Sequence, residues 1–167
     1  MTDNSSSPSP AHLSPAALLL QDLIRCPSVT PHEGGALDLL QQRLEPLGFV
    51  VQRKTFSKPN TPDVENLYAR LGTSSPNLCF AGHTDVVPVG DENDWSSKPF
   101  EGEVVGDMMI GRGAVDMKGG IACFIAAVEN YLQRKDKDAG SISLLITGDE
   151  EGPAVNGTTE ITGPAGP

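Results

Sequence analysis

The sequence predicts an α/β domain, with a mainly parallel sheet flanked by helices. Two observations predict it. Segments with helical spacing of apolar residues alternate with short apolar runs typical of strands, and the second half of the chain follows the order strand, helix, strand. The 167 residues are 38% hydrophobic and 20% charged, which is the size and composition of one folded domain. We expect a disordered Ser- and Pro-rich tail at residues 1–14, the domain at 15–158, and an irregular tail at 159–167.

Three long helices are predicted from apolar side chains at helical spacing. The first begins at Ser14-Pro15, where an N-cap residue precedes a proline at the first helical position. The second is expected to begin at a capping box, Thr30-Pro31-His32-Glu33, and to end at Gly48. The third runs from Met117 to about Gln133, with apolar residues along one face.

Strands are predicted where short apolar runs are bounded by turn residues. Two of them, Leu78–Ala81 and Ser141–Thr147, are continuous enough to predict strands buried on both faces. Val104–Ile110 has Gly106-Asp107 between apolar pairs, which is typical of a hairpin. The remaining strands are expected at 49–51 and 67–71. In a parallel sheet, functional side chains collect at the carboxyl ends of the strands.

Charge and hydropathy exclude several classes of function. Lys and Arg number 12 against 22 Asp and Glu, so the net charge is -10, which argues against nucleic-acid and anionic-membrane partners. No apolar run approaches the roughly 18 residues that span a bilayer. No secretory signal is visible, and the three cysteines lack a paired spacing, which is typical of reduced thiols. The expected location is therefore the cytoplasm.

Three motifs combine glycine with potential metal ligands: Gly82–Asp85, Gly111–Gly119 and Thr147–Gly152. The first and third follow predicted strands, and the second leads into the third helix. Each motif alone has an ordinary structural explanation, such as a helix cap or a solvated surface pair. Three of them at consecutive element ends point instead to one shared site.

The residue types in these motifs suit a divalent metal. Imidazole and carboxylate groups ligate Zn²⁺ at about 2.0–2.2 Å. Asp85 lies two residues after His83 and could fix the imidazole's tautomer, and Asp116 precedes a helix and could bridge two ions. Glu150 and Glu151 are consecutive, so their side chains diverge: one can bind metal while the other accepts a proton.

The three motifs, in this order, closely resemble those of the co-catalytic zinc amidohydrolases, which include desuccinylases, deacetylases, aminoacylases and carboxypeptidases. The resemblance extends from about Leu18 to Thr158. Within the family, residues 25–31, 95–100 and 151–158 are most similar to the succinyl-diaminopimelate desuccinylases. The resemblance implies a catalytic domain of the zinc-exopeptidase type.

The resemblance also implies a role for each site residue. His83 would bind one metal, Asp116 would bridge two, and Glu151 would bind the other. Asp85 would orient His83, and Glu150 would be the general acid and base. The cofactor would be two Zn²⁺ per full-length subunit, with Co²⁺ as an alternative. The substrate would be a small anionic N-acyl amino acid, N-succinyl-LL-2,6-diaminopimelate, hydrolysed to succinate and LL-2,6-diaminopimelate for lysine biosynthesis.

Members of the family are longer than this chain. They supply further metal ligands downstream and a dimerisation domain, through which the full-length enzymes form homodimers. We therefore expect an incomplete, truncated catalytic domain without the dimerisation domain, and impaired activity. The alternatives are an acetylornithine deacetylase or related metallo-carboxypeptidase and, from another class, a non-catalytic fragment that binds metal.

Overall fold

The computed structural model describes residues 13–134 and 140–163, so the expected tail at residues 1–12 lies outside the described residues. The helices are α1 (Pro15–Ile24), α2 (Ala36–Leu44), α3 (Gly119–Leu132) and α4 (Thr158–Ile161). The strands are β1 (Val50–Phe56), β2 (Val64–Leu71), β3 (Asn77–His83), β4 (Glu103–Val105), β5 (Met108–Ile110) and β6 (Ser141–Thr147). Four strands form one sheet in the order β1-β2-β6-β3, and β4 and β5 form the predicted hairpin.

The α/β class is confirmed, but the sheet is mixed, and the prediction of a mainly parallel sheet is wrong. β3 and β6 are parallel, whereas β1 pairs antiparallel with β2, and β2 pairs antiparallel with β6. Only β3 and β6 are joined by a helical crossover, through α3. β1 and β2 are joined by the short connection 57–63, and a connection of that length permits only an antiparallel pair.

β3 lies at an edge of this sheet, so the prediction that it is buried on both faces is wrong. In the part of the chain that the structure describes, β3 pairs only with β6, and the side chain of Leu78 is 63% exposed. The equivalent prediction for β6 is confirmed, since Ser143, Leu144 and Ile146 are fully buried. An apolar run of four residues does not distinguish an edge strand from a central one.

The start of α1 is as predicted: the Ser14 hydroxyl accepts a hydrogen bond of 3.2 Å from the N–H of Ala17. The start of α2 is not. α2 begins at Ala36, and the carboxylate of Glu33 accepts bonds of 2.9 Å from the N–H groups of Gly35 and Leu37. Glu33 therefore caps α2 from outside the helix.

The core lies between α1, α2, α3 and one face of the sheet. It is one cluster of buried apolar side chains, which comprises Leu19, Leu23, Ala36, Leu37, Leu40, Leu44, Phe49, Leu67, Ala69, Ile121, Ala122, Ile125, Val128, Leu144 and Ile146. The members from β2 and β6 alternate along their strands, so they belong to one face. This packing fixes the carboxyl ends of β3 and β6 side by side, with His83 opposite Thr147.

The segment from 159 was expected to be irregular, but α4 forms one helical turn there. Ile161 is only 2% exposed, and α4 contacts β6. Tertiary packing of this one side chain therefore overrides the weak helix propensity of the segment. Residues 164–167 lie outside the described residues. No helix in the described ranges is long and apolar enough to cross a membrane.

Candidate metal centre

His83, Asp116 and Glu151 converge at the carboxyl ends of β3 and β6. One potential ligand atom from each lies within 4.8 Å of those of the other two. His83 Nε2 and Asp116 Oδ1 are 3.1 Å apart. Two ligands of one tetrahedral zinc at about 2.1 Å are about 3.4 Å from each other. The three side chains therefore have the chemistry and the approximate spacing of a metal site.

His83 is held with one ring nitrogen directed to this cluster. The residue is the last of β3 and is 4% exposed. Its Nδ1 lies 2.9 Å from the main-chain carbonyl oxygen of Asp85, which can only accept, so Nδ1 carries the donated proton. Nε2 then faces Asp116, 3.1 Å from Oδ1. The Asp85 carboxylate, which was expected to orient the ring, is farther from Nδ1, at 3.5 Å.

The environment of His83 favours a positive charge at the imidazole. Burial lowers the pKa of His83, but hydrogen bonds to Asp85 and Asp116 outweigh it and raise the pKa to about 9. In the metal-free chain the ring is therefore protonated at neutral pH. A metal ion at Nε2 would replace that proton.

The Asp85 carboxylate holds the Glu150–Glu151 segment. It is 1% exposed, and Oδ2 accepts hydrogen bonds of 3.0 Å from the N–H of Glu150, 2.9 Å from the N–H of Glu151 and 2.9 Å from the hydroxyl of Thr30. Burial raises the pKa of Asp85, but the interaction with His83 and these hydrogen bonds outweigh burial, so the pKa lies below its ordinary value. Asp85 is therefore an ionised carboxylate that holds the main chain of Glu150 and Glu151 and the hydroxyl of Thr30.

A second buried carboxylate, Asp149, fixes the loop after Glu151. Asp149 is 2% exposed and accepts hydrogen bonds from the N–H groups of residues 154, 155 and 156, at 3.2, 2.9 and 3.0 Å. The tight loop requires Gly152, because a Cβ there would lie 2.6 Å from Asp149 Oδ1. Sequence reasoning missed this role of Asp149. The Gly152-Pro153 pair, three residues after Asp149, is a turn signal that could have indicated it.

Asp116 lies in the kinked turn Ala114–Lys118 that precedes α3, and its own backbone is non-helical, with φ -119° and ψ 100°. Its side chain is 76% exposed, so its position depends on the turn. The turn is anchored by Lys118, which is fully buried and donates hydrogen bonds of 2.9 and 2.7 Å to the carbonyl oxygens of Leu23 and Cys26. Burial lowers the pKa of Lys118 to about 8. Lys118 thus ties the Asp116 turn to the carboxyl end of α1.

Glu150 and Glu151 diverge, as their adjacency predicted. Glu151 belongs to the three-residue cluster, whereas the Glu150 side chain is 56% exposed at its rim. Glu150 Oε2 lies 3.8 Å from His83 Nε2, and within residues 13–134 and 140–163 its carboxylate accepts no hydrogen bond. The Glu150 carboxylate therefore lies exposed at the rim of the cluster, next to the His83 ring.

Comparison with known sequences identifies the family of the chain. The sequence model of peptidase family M20/M25/M40 matches residues 79–166. A succinyl-diaminopimelate desuccinylase of Rhodospirillum centenum is 62% identical over 143 residues, covering 86% of this chain and 37% of that protein. One of Methylorubrum extorquens is 61% identical over 149 residues, covering 89% and 38%. The chain therefore spans less than two fifths of the length of these curated relatives.

Two of the solved structures with a similar fold are a carboxypeptidase and a dipeptidase. The M20 family metallo-carboxypeptidase Sso-CP2 of Sulfolobus solfataricus matches with a TM-score of 0.72 and 26% identity, over 83% of this chain and 32% of that one. Human carnosine dipeptidase 1 matches with a TM-score of 0.70 and 26% identity, over 84% of this chain and 33% of that one.

Proposed function

The chain belongs to peptidase family M20/M25/M40. On that premise we propose that His83, Asp116 and Glu151 are part of the metal centre of a succinyl-diaminopimelate desuccinylase. The reaction is hydrolysis of N-succinyl-LL-2,6-diaminopimelate to succinate and LL-2,6-diaminopimelate. The observation that carries the proposal is the convergence of His83, Asp116 and Glu151, with the half-exposed carboxylate of Glu150 beside them. Identities of 62% and 61% to two desuccinylases support the substrate class.

His83, Asp116 and Glu151 would hold the metal. One imidazole and two carboxylates form a donor set that suits zinc and also cobalt. When bound, the metal would polarise the scissile carbonyl and lower the pKa of water. Asp116 is the most exposed of the three side chains, which leaves it open to a second ion in the full-length homodimer.

Glu150 would transfer protons. Its carboxylate, at the rim of the cluster, would accept a proton from the attacking water and give it to the leaving amine. Asp85 would support both metal binding by Glu151 and proton transfer by Glu150, because its carboxylate accepts hydrogen bonds from the N–H groups of these two residues. A displacement of this segment would therefore move the metal ligand and the base together.

A chimera tests the proposal. In it, this chain replaces the matching 143 residues of the R. centenum relative, which supplies the rest of the protein. We expect hydrolysis of N-succinyl-LL-2,6-diaminopimelate in preference to N-acetylornithine and to a dipeptide. Glu150→Gln should lower kcat about 10²–10⁴-fold, as expected for loss of a general base.

The control is Glu103→Gln, on the exposed strand β4. A chimera that prefers N-acetylornithine or the dipeptide would contradict the assigned substrate. A chimera that is folded and metal-loaded but hydrolyses none of the three would support the alternative of a non-catalytic metal-binding chain.

A further inference from the structure

An open groove of about 710 Å³ runs along the metal cluster. Asp116 and Glu151 line it on one side, and Trp95, Met108 and Arg112 line it elsewhere. Met108 is 66% exposed there. A concave, largely apolar surface with a few polar groups is the usual form of a small-molecule site.

Arg112 carries the only positive charge among the described residues that line this groove. Its guanidinium carbon lies 5.0 Å from the centre of the Trp95 ring. Its one side-chain hydrogen bond to a described residue is long, 3.4 Å from Nη2 to the carbonyl oxygen of Pro88, and Nε has no acceptor. No described carboxylate lies within ion-pair distance of it, although the chain has a net charge of -10.

Three other arginines of the chain form ion pairs with acidic side chains. Arg25 pairs with Asp22, Arg43 with Glu129, and Arg53 with Asp38 and Glu65. Arg112 instead holds its planar group against an aromatic ring, which fixes the plane without neutralising the charge. The guanidinium is thus oriented and electrostatically unpaired beside the candidate catalytic residues.

We propose that Arg112 binds a free carboxylate of the N-acyl amino-acid substrate and so determines specificity for anionic amides. The inference rests on the proposed function, because it assigns a substrate group to this groove. A guanidinium matches a carboxylate with two parallel N–H···O bonds, which a neutral amide cannot reproduce.

Trp95 makes a direct test possible, because it is the only tryptophan of the chain. The Zn²⁺-loaded chain is titrated with three ligands, and Trp95 fluorescence and calorimetry are recorded. The ligands are an N-succinyl amino acid, its analogue with the succinyl carboxylate changed to a carboxamide, and its analogue with the α-carboxylate changed to a carboxamide. The two analogues show which carboxylate Arg112 binds.

We expect one of the two carboxamides to bind about tenfold or more weakly than the diacid. In Arg112→Gln the ratio of the two dissociation constants, carboxamide to diacid, should fall to about one. Arg70→Gln is the matched control and should keep the preference, because Arg70 also lacks an ion pair but contacts Gly72 and Ser141 on the sheet.

Equal binding of the diacid and both carboxamides by the wild-type chain would overturn the inference. So would an unchanged preference in Arg112→Gln. If Arg112→Gln does not fold, the wild-type fluorescence decides: saturation seen by calorimetry without a change in Trp95 emission overturns it. Because binding is measured without turnover, a preference that depends on Arg112 stands even if the chimera hydrolyses none of its three substrates. That result would refute only the proposed function.

Discussion

Oδ2 of Asp85 lies 2.9 Å from the main-chain nitrogen of Glu151 and accepts its hydrogen bond. The two residues follow neighbouring parallel strands, β3 and β6. His83 lies two residues before Asp85 and is held by its carbonyl oxygen at 2.9 Å. One residue therefore sets the positions of two candidate metal ligands, from different strands, relative to each other.

Asp85→Asn should weaken metal binding. An amide with its oxygen at the Oδ2 position removes the negative charge and puts an N–H donor at the Oδ1 position. That donor opposes the N–H of Glu150, whose nitrogen lies 3.2 Å from Oδ1, so the segment must move. We expect Zn²⁺ affinity to fall about 10–100-fold, as for other residues that support metal ligands. Competition with a chromophoric chelator measures it. Asp107→Asn, in the turn between β4 and β5, is the control, and an equal loss there would refute a specific role for Asp85.

Thr30→Val tests the third hydrogen bond to Asp85. The change keeps the shape of the side chain but removes the 2.9 Å bond from the Thr30 hydroxyl. We expect the free energy of unfolding to fall by about 0.5–1.5 kcal/mol, and Zn²⁺ affinity to fall with it. Urea unfolding measures the first. The exposed Thr73→Val is the control, and equal stability of the two variants would show that the Thr30 bond contributes nothing.

Metal binding should release a proton from His83. The pKa of His83 in the metal-free chain is raised to about 9, so the ring is almost fully protonated at pH 7, and a metal at Nε2 must displace that proton. We expect release of about one proton per metal, and an apparent affinity that rises about tenfold per pH unit below the pKa. Calorimetry in buffers of different ionisation enthalpy counts the protons. Release of only a quarter of a proton would indicate an ordinary histidine pKa of about 6.5.

The raised pKa of His83 should also make the stability of the metal-free chain depend on pH. Because the folded pKa of His83 is above its ordinary value of 6.5, its contribution to stability is complete below pH 6.5. That contribution is lost as the pH rises through about 9. The urea midpoint of the metal-free wild-type chain should therefore fall over this range more than that of His83→Gln. Parallel pH profiles for the two proteins would contradict the raised pKa.

Lys118→Met should destabilise the Asp116 turn. The substitution keeps the apolar stem but leaves the carbonyl oxygens of Leu23 and Cys26 without their buried donor. We expect a loss of about 1–3 kcal/mol in the free energy of unfolding, together with weaker Zn²⁺ binding. Lys98→Met, at a fully exposed side chain that pairs with Glu101, is the control. If Lys118→Met keeps the stability of the wild type but binds Zn²⁺ more weakly, Lys118 affects the metal site and does not stabilise the fold.

The convergence of the site could be predicted from sequence because it depends on topology. β3 and β6 are parallel and joined by α3, so His83 and Glu151 follow strand ends at the same edge of the sheet. The glycine-rich motif before α3 then brings Asp116 to that edge. Motif order and residue type carry this information without any knowledge of packing.

The supporting hydrogen bonds could not be predicted in the same way. Thr30 acts on Asp85 across 55 residues of sequence, and its side chain was assigned instead to a helix cap by local pattern. The carbonyl oxygen of Asp85, which holds His83, carries no side-chain signal at all. The mixed sheet was missed because the pairing of β2 with β6 is a long-range choice that apolar periodicity does not encode.

Calorimetric titration of Zn²⁺ into the metal-free chain tests most directly whether His83, Asp116 and Glu151 share one cation. We predict one tightly bound Zn²⁺ per chain. This binding should be lost in His83→Ala and in Glu151→Ala but retained in Glu150→Gln. The same stoichiometry and affinity in all three variants as in the wild type would contradict the account.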